Sequence, residues 1–269
     1  MYVLTLDCLE TDAEIISADL WESGASGILE ESPLPDRCRL RAWFADPDGL
    51  LDRYQKFSPT LAVEVPRDWE AESRQAWQPF CVGESLYLAP EWDEARPPAG
   101  RRRLTVHPGL ALGTGAHPAT QLALLALEAH VRPGERVIDV GTGSGILAAA
   151  AQLLGARLAI GCDIDGDAVA IAQRNLMADG VPPKLFTGSL RSVGDASFDV
   201  LVANINAETH ALLAGEYARV VRRAAIVSGY QARDEERVVR ALTARGFSLA
   251  SRHEIEDWIC LVLSKEETS

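Results

Sequence analysis

The sequence predicts an α/β fold in which a small ferredoxin-like α+β domain precedes a doubly wound, mostly parallel sheet with an antiparallel end. Three observations support this class. The first 66 residues follow the order strand–helix–strand–strand–helix–strand. From residue 104 onwards, apolar strands alternate with amphipathic helices, a pattern typical of crossover connections between parallel strands. The last two apolar segments are joined by a short charged turn, which predicts an antiparallel finish.

The composition is that of an ordinary globular chain. Of its 269 residues 47% are apolar, and no apolar run reaches the roughly 20 residues that a membrane helix needs. The first seven residues lack the basic segment of a signal peptide. Five scattered cysteines, none in a C-x-x-C pair, argue against a disulfide framework or a zinc site. We therefore expect a cytoplasmic protein with no metal and no membrane association.

The formal net charge of −13 bears on the class of partner. Contact with the nucleic-acid backbone needs a basic surface, so we expect no direct nucleic-acid specificity. An acidic surface suits a basic protein partner. It also serves solubility alone, and the charge by itself does not separate these two interpretations.

The N-terminal domain is predicted over residues 1–66. Its first helix, over residues 12–23, has Ile15, Ile16, Leu20 and Trp21 on the side expected to face the core. A second helix is expected over 49–57, and the strands are expected over residues 1–8, 25–31, 37–45 and 61–65.

A linker is predicted over residues 67–103. It includes a short charged helix at 69–77 and a boundary-like stretch at 90–103 with two consecutive prolines. The three arginines at 101–103 either contact a partner or are solvated, since charge runs in loops usually face water.

The C-terminal domain is predicted over residues 104–269, and its elements alternate in type. Strands are expected over residues 136–140, 158–162, 184–187, 198–203 and 224–228. Helices are expected over residues 146–154, 167–178, 208–221 and 234–244. The antiparallel finish is expected over residues 248–251 and 258–264.

A glycine-rich loop, D-V-G-T-G-S-G at residues 139–145, joins the first of these strands to the next helix. Glycines there permit a tight turn and let the backbone approach a ligand closely. The following strand ends at Asp163, 22 residues after Gly141. A carboxylate in that position can accept hydrogen bonds from two ribose hydroxyls, so the loop and Asp163 together predict a nucleoside-containing ligand.

Three cofactor classes compete for this loop. A nucleotide P-loop requires a lysine after the glycines, and none is present. A dinucleotide site requires G-x-G-x-x-G, but Ile146 stands where the third glycine belongs. Asp139 would repel a pyrophosphate and attract the sulfonium and ammonium of S-adenosylmethionine. The pattern therefore favours S-adenosylmethionine, the alternative being glycines that serve only helix–strand packing.

The acidic run at residues 163–167 raises the question of a metal. An EF-hand loop needs glycine at its sixth position and glutamate at its twelfth, where this chain has Ala168 and Arg174. A calcium loop is therefore not expected. Asp165 is instead predicted to cap the helix that follows.

Two further segments are expected near the loop. Three glycines at residues 109–115 precede a helix starting at Pro118, and this segment is either a flap over the ligand or an ordinary interdomain loop. Asn204 ends the fourth strand, which neighbours the first in a doubly wound sheet, so its side chain is expected in the same crevice. The alternative is that this segment has no role in ligand binding and that Asn206 caps the next helix.

Together these segments resemble the ribosomal protein L11 methyltransferase family. The G-T-G-x-H-P-x-T pattern at residues 113–120 is far more specific than the glycine loop, which many methyltransferases share. Ala119 and Leu112 depart from the threonine and phenylalanine that are common in the family. The matching stretches are residues 108–120, 137–148, 161–165 and 202–205, together with Ser228-Gly229 and Glu256-Asp257-Trp258.

The resemblance implies a Rossmann-like class I methyltransferase sheet behind an N-terminal substrate-recognition domain. It implies an S-adenosylmethionine-dependent protein methyltransferase that modifies lysine ε-amines, and an N-terminal α-amine, of ribosomal protein L11. A methyltransferase for another protein lysine and a binding module without turnover are the alternatives. The residues expected to bind the cofactor are Thr120, Gly141, Gly143, Asp163 and Asn204.

No general base is identifiable from the sequence. The attacking amine must be neutral, and burial beside a cationic sulfonium lowers the pKa of a lysine, so a dedicated base is not required. His117 and His210 are able to take a proton, but a histidine in a loop or helix is more often structural.

Overall fold

The computed structural model describes residues 1–34, 36–63, 77–107 and 115–265. The chain divides into two compact units, Met1–Gln75 and Ala76–Ser269. The fold class predicted from the sequence is confirmed in both units, as their strand orders show.

The N-terminal unit is a four-stranded antiparallel sheet with two helices. Its strand order is β2-β3-β1-β4, in which the two central strands are not consecutive in the chain, as in a ferredoxin-like domain. The predicted second helix is split, because a 3₁₀ turn at Gln55–Phe57 follows the short helix α2. The elements are β1 Tyr2–Leu9, α1 Glu10–Glu22, β2 Gly27–Leu34, β3 Arg37–Phe44, α2 Leu50–Arg53 and β4 Thr60–Val63.

Fewer apolar side chains of helix α1 are buried than its sequence predicts. Ala13, Ile16 and Leu20 are buried against the sheet, at the i, i+3 and i+7 spacing of one helical stripe. Ile15 is 74% exposed and Trp21 is 53% exposed, so the expectation that both face the core is wrong. The reason is geometric, since only one stripe of a helix lying on a sheet reaches the core.

The second unit begins with a small sheet of β5 Phe80–Val82, β6 Leu86–Pro90 and β7 Arg102–Val106. Residues 77–103, expected to belong to a linker, thus contain two strands that the sequence does not reveal. All five residues of β6 are buried, so the strand lacks the polar–apolar alternation by which strands are predicted. The helix expected at 69–77 falls almost wholly outside the described residues.

Two arginines of the basic triplet hold this small sheet together. Arg101 Nη1 donates to the carbonyls of Gly83 and Leu86, at 2.8 and 3.0 Å. Arg103 Nη2 donates to the carbonyl of Pro90 at 2.8 Å. Their guanidinium groups therefore satisfy backbone carbonyls of the strand ends, so these two side chains are more than a solvated charge run.

The main sheet has the order β10-β9-β8-β11-β12-β14-β13. The first five strands of this order are parallel to one another, whereas β14 runs antiparallel to both β12 and β13, as predicted. The strands are β8 Arg136–Val140, β9 Leu158–Asp163, β10 Leu185–Thr187, β11 Phe198–Asn204, β12 Val221–Gln231, β13 Phe247–Ile255 and β14 Trp258–Lys265. The helices are α3 Pro118–His130, α4 Ile146–Leu153, α5 Gly166–Ala178, α6 Ala207–Val220 and α7 Glu235–Thr243.

Both faces of the main sheet are covered. Successive residues of β8, Val137 and Ile138, are fully buried in two different hydrophobic clusters, one on each face. The chain order reverses between β8 and β11, which is the place where ligands bind in doubly wound sheets. The fold therefore brings the ends of β8, β9 and β11 to one crevice.

None of the described helices is long and apolar enough to cross a membrane. Nor do three or more histidine, cysteine or acidic side chains converge on a possible metal position within the described ranges.

Candidate cofactor site

The glycine loop occupies the turn between β8 and α4. Gly141, Gly143 and Gly145 all have positive φ angles, of 70°, 52° and 84°. A Cβ on Gly141 would lie 2.6 Å from Cγ2 of Ile205, and one on Gly145 would lie 3.2 Å from Cβ of Ala172. At both positions the backbone conformation and the close approach of a neighbour exclude a side chain.

Asp139 ties this loop to the helix that follows it. Its Oδ2 accepts a hydrogen bond from the Thr142 hydroxyl at 2.7 Å and another from the Ala148 backbone N–H at 3.1 Å. Its side chain is buried, and burial raises the pKa of Asp139 to about 7. The charge expected to attract a cationic ligand thus also has a structural task within the loop.

The other carboxylate oxygen of Asp139, Oδ1, is buried and has no hydrogen-bond partner among the described residues. Buried polar atoms are normally paired, so an orphaned carboxylate oxygen is unfavourable in the protein alone. Its position at the end of β8, behind the glycine loop, fits a ligand that brings a positive charge or a hydrogen-bond donor.

Asp163 lies at the end of β9 and faces the glycine loop. Its Oδ2 accepts from the Gly143 backbone N–H at 3.2 Å, and its Oδ1 accepts from the Asp165 backbone N–H at 3.1 Å. Two of the predicted cofactor residues, Gly143 and Asp163, are therefore in direct contact. Asp165 caps α5 by accepting from the Asp167 N–H at 2.9 Å, as its sequence context predicts.

Thr120 and Asn204 form a second contact between predicted residues. Thr120 lies in the first turn of α3 and is 1% exposed. Asn204, the last residue of β11, donates from its side-chain Nδ2 to the Thr120 hydroxyl at 3.0 Å. The two side chains join the start of α3 to the strand end that neighbours the glycine loop.

The alternative interpretation of this segment also holds, because Asn206 does cap a helix. Its Oδ1 accepts from the Thr209 N–H at 2.8 Å at the start of α6. The two asparagines therefore have separate tasks, with Asn204 on the crevice side and Asn206 on the helix.

The histidines near the site have structural contacts. His117 caps α3, its Nδ1 accepting from the Ala119 N–H at 3.2 Å, and its ring lies edge-on to Trp258 at 4.3 Å. His210 is fully buried, and burial lowers its pKa to about 4. The structure thus assigns both rings to local architecture.

Ser228 and Gly229 also shape the site, although in the sequence they contribute only to the family resemblance and no role is assigned to them. Gly229 has a φ of 98°, and a Cβ there would lie 2.5 Å from the Ile205 carbonyl oxygen and 2.8 Å from Oδ1 of Asn204. Only glycine permits this approach, so the end of β12 defines one side of Asn204. A glycine at the end of a strand beside β11 is the signal that points to it.

The segment expected to form a flap is only partly described. Residues 108–114 lie outside the described ranges. Gly115, which follows them, has a φ of 80°, and a Cβ there would lie 2.5 Å from Cδ2 of Leu88. This glycine is therefore required by packing against β6.

Comparison with known proteins shows which family the chain belongs to. A family model described as ribosomal protein L11 methyltransferase (PrmA) matches residues 41–266. The chain belongs to the ribosomal protein L11 methyltransferase family. A curated relative named ribosomal protein L11 methyltransferase, from Geobacter sulfurreducens, is 41% identical over 250 residues, which are 86% of this chain and 83% of the relative.

Other members extend the comparison. A relative of the same name from Deinococcus radiodurans is 38% identical over 85% of this chain and 84% of its own length. A crystal structure described as ribosomal protein L11 methylase from Lactobacillus delbrueckii subsp. bulgaricus superposes with a TM-score of 0.66 at 31% identity, over 71% of this chain and 100% of that one. The family resemblance seen in the sequence is confirmed, and the chain is an S-adenosylmethionine-dependent methyltransferase.

Proposed function

We propose that this enzyme methylates ribosomal protein L11 on lysine ε-amines, and on an N-terminal α-amine, and that Thr120, Gly141, Gly143, Asp163 and Asn204 bind its cofactor. The observation that carries the site is the meeting of four chain segments at one sheet edge: the start of α3, the glycine loop, and the ends of β9 and β11. Asp163 contacts Gly143, and Asn204 contacts Thr120, at the ends of adjacent parallel strands. The names of the relatives support the substrate.

Each residue of the proposed cofactor site has a physical role. Gly141 lets the backbone turn tightly beside Ile205, so that the loop presents backbone rather than a side chain to the ligand. Asp163, oriented by two backbone N–H groups, keeps lone pairs for two ribose hydroxyls. The orphaned Oδ1 of Asp139 favours a cationic group nearby. When bound, S-adenosylmethionine supplies a methyl group already activated by its sulfonium.

The protein's share of the chemistry is positioning and the exclusion of water. His210 is not placed to act as the proton acceptor, because it is buried, its Nδ1 accepts from the Tyr217 hydroxyl at 3.1 Å, and its pKa is about 4. A lysine substrate starts with a pKa of about 10.4 and is made nucleophilic when burial beside a cation lowers that pKa.

The charge supports a basic protein substrate. A net charge of −13 attracts a basic partner and disfavours direct binding to nucleic acid, so we assign no nucleic-acid specificity to the chain. Within the chain, residues 1–66 are proposed as the substrate-recognition domain and residues 104–269 as the methyltransferase domain. We place the enzyme in the cytoplasm.

The proposed function is tested with purified enzyme, labelled S-adenosylmethionine and the proteome of cells that lack this gene. Label on L11, mapped by mass spectrometry to lysine or to the N-terminal residue, supports the proposal. Label on another protein alone identifies a different substrate. Absence of any label, with cofactor binding intact by calorimetry, identifies a binding module without turnover. Either of the last two results overturns the substrate assignment.

A further inference from the structure

Ser228 contacts both segments that carry the Thr120–Asn204 pair. It lies in β12, fully buried, directly beside Asn204 in the parallel register of β11 and β12. Its hydroxyl lies 3.0 Å from the carbonyl oxygen of Ala119, the residue before Thr120, and 2.9 Å from that of Ile259. Its own carbonyl accepts from the N–H of Ile205, the residue after Asn204, at 3.0 Å.

His210 reinforces the contact between the Ser228 carbonyl and Ile205. Its Nε2 lies 2.8 Å from the Ser228 carbonyl oxygen, which can only accept, so Nε2 carries the proton. The neutral ring then accepts at Nδ1 from the Tyr217 hydroxyl at 3.1 Å. Both lone pairs of the Ser228 carbonyl are thereby engaged, one by Ile205 and one by His210.

The surrounding packing leaves this arrangement little freedom. Gly229 lets the end of β12 approach within a distance that no Cβ would tolerate beside Ile205 and Asn204. His210 and Ser228 are both fully buried, so losing one partner would leave a buried polar atom unpaired. Valine in place of Ser228 would remove the hydroxyl that lies against the carbonyl oxygens of Ala119 and Ile259. The serine hydroxyl therefore joins α3 and β14 to β12 in a way that an apolar side chain cannot.

We infer that Ser228 and His210 are positioning residues that hold Thr120 and Asn204 at their mutual distance in the cofactor site. This inference rests on the proposed assignment of Thr120 and Asn204 to that site. Ser228 sets the start of α3 through Ala119 and the end of β11 through Ile205. His210 fixes the direction of the Ser228 carbonyl, which accepts from the Ile205 N–H.

The test is a double-mutant cycle on the affinity for S-adenosylmethionine, measured by calorimetry well below the unfolding temperature. The variants are Ser228→Ala, His210→Leu and Thr120→Val, each alone, and Thr120→Val combined with each of the others. We expect each single variant to raise the Kd at least tenfold. The combined variants are expected to bind no more than threefold more weakly than Thr120→Val alone, because the same pair is disrupted once.

A matched control separates positioning from general stability. Leu242→Ala removes a fully buried side chain from α7, in the hydrophobic cluster that also contains Tyr217, and is expected to lower the melting temperature. Its Kd is expected to stay within twofold of the wild type. His210→Gln is expected to recover most of the affinity lost in His210→Leu, since a glutamine amide can donate to the Ser228 carbonyl.

A spectroscopic readout keeps the inference testable if Ser228→Ala folds poorly. In the His210 variants without cofactor, the side-chain amide resonances of Asn204 report on its bond to Thr120. They are expected to shift in His210→Leu and to return towards the wild-type position in His210→Gln. The Leu242→Ala protein is expected to keep them unchanged.

Two failures are distinguishable. If Thr120→Val and Asp163→Ala weaken binding while Ser228→Ala and His210→Leu stay within twofold of wild type, the positioning roles are wrong and the cofactor site stands. If Thr120→Val and Asp163→Ala also bind normally, the site assignment is wrong and the inference falls with it. Additive effects in the cycle likewise contradict action through the Thr120–Asn204 pair.

Discussion

Asn204 donates a hydrogen bond from its side-chain amide to the hydroxyl of Thr120 at 3.0 Å, although 84 residues separate them in the chain. One residue ends a strand of the sheet and the other lies in the first turn of a helix on its face. The contact joins the start of α3 to the crevice at the ends of β8 and β11. It holds the first turn of α3 beside the strand end that neighbours the glycine loop.

Replacing Asp163 by alanine is expected to weaken the binding of S-adenosylmethionine at least tenfold, which corresponds to about 1.4 kcal/mol. The reason is the loss of the carboxylate proposed to accept from the ribose hydroxyls. Calorimetry measures the change, and circular dichroism establishes that the variant is folded. Asp165→Asn, which keeps the helix cap, is the control and should bind normally. Unchanged affinity in folded Asp163→Ala would sink the assignment.

Gly141→Ala is expected to lose both stability and cofactor affinity. The φ of 70° costs an L-residue about 1–2 kcal/mol, and the new Cβ would meet Ile205 at 2.6 Å. Gly134→Ala is the matched control, because Gly134 has a φ of 87° and no atom within 4 Å of an added Cβ. Thermal unfolding should show destabilisation of both variants, and calorimetry should show weakened binding only for Gly141→Ala. Equal affinities would contradict the role given to Gly141.

Asp139 is expected to make the free enzyme less stable as the pH rises. Its pKa is raised by burial from 3.8 to about 7, so its stabilising contribution is complete below pH 4 and is lost as the pH rises through 7. In Asp139→Asn this loss is absent. The melting temperature of Asp139→Asn minus that of the wild type should therefore increase between pH 4.5 and pH 8. A difference that stays flat over this range would mean that Asp139 is ionised in the folded protein.

His210 is expected to have the opposite effect on stability. Burial lowers its pKa from 6.5 to about 4, so its contribution is present above pH 6.5 and is lost as the pH falls towards 4. The melting temperature of His210→Gln minus that of the wild type should therefore increase as the pH is lowered from 7 to 4.5. A constant difference would show that His210 already titrates normally. Each comparison uses a difference between two proteins because the two groups oppose one another in the wild type.

Local patterns suffice to predict most of the main sheet. The strand predicted at 136–140 coincides with β8. Its ends are marked in the sequence, because a charged residue precedes the buried run and the glycine loop follows it. The helix ends near residues 146 and 178 are marked by glycine, aspartate and the change of period. Strands β5 and β6 are not predictable in this way, because they are short and, in β6, buried throughout.

Some residues of the candidate site are likewise predictable from local patterns, and others are not. Gly141, Gly143 and Asp163 follow from the order of strand, loop and strand end, since carboxyl ends of parallel strands meet at one edge. Thr120 follows mainly from resemblance to a family, because the glycines before it indicate a flap over a ligand or an ordinary loop and do not single out this threonine. Ile15 and Trp21 show the limit of periodicity, since helical spacing alone does not say which stripe meets the sheet.

The fold class, the glycine loop with its distal acid, and the family resemblance all follow from the amino-acid sequence without any coordinates, and the comparisons confirm the family. These depend on periodicity and on short motifs, which are local in the chain. The tertiary structure alone decided that Asn204 contacts Thr120, that Ser228 reaches both of their segments, and that one oxygen of Asp139 holds the loop. Such contacts join residues far apart in sequence, and they exist only after the packing of helices on the sheet has set their distances.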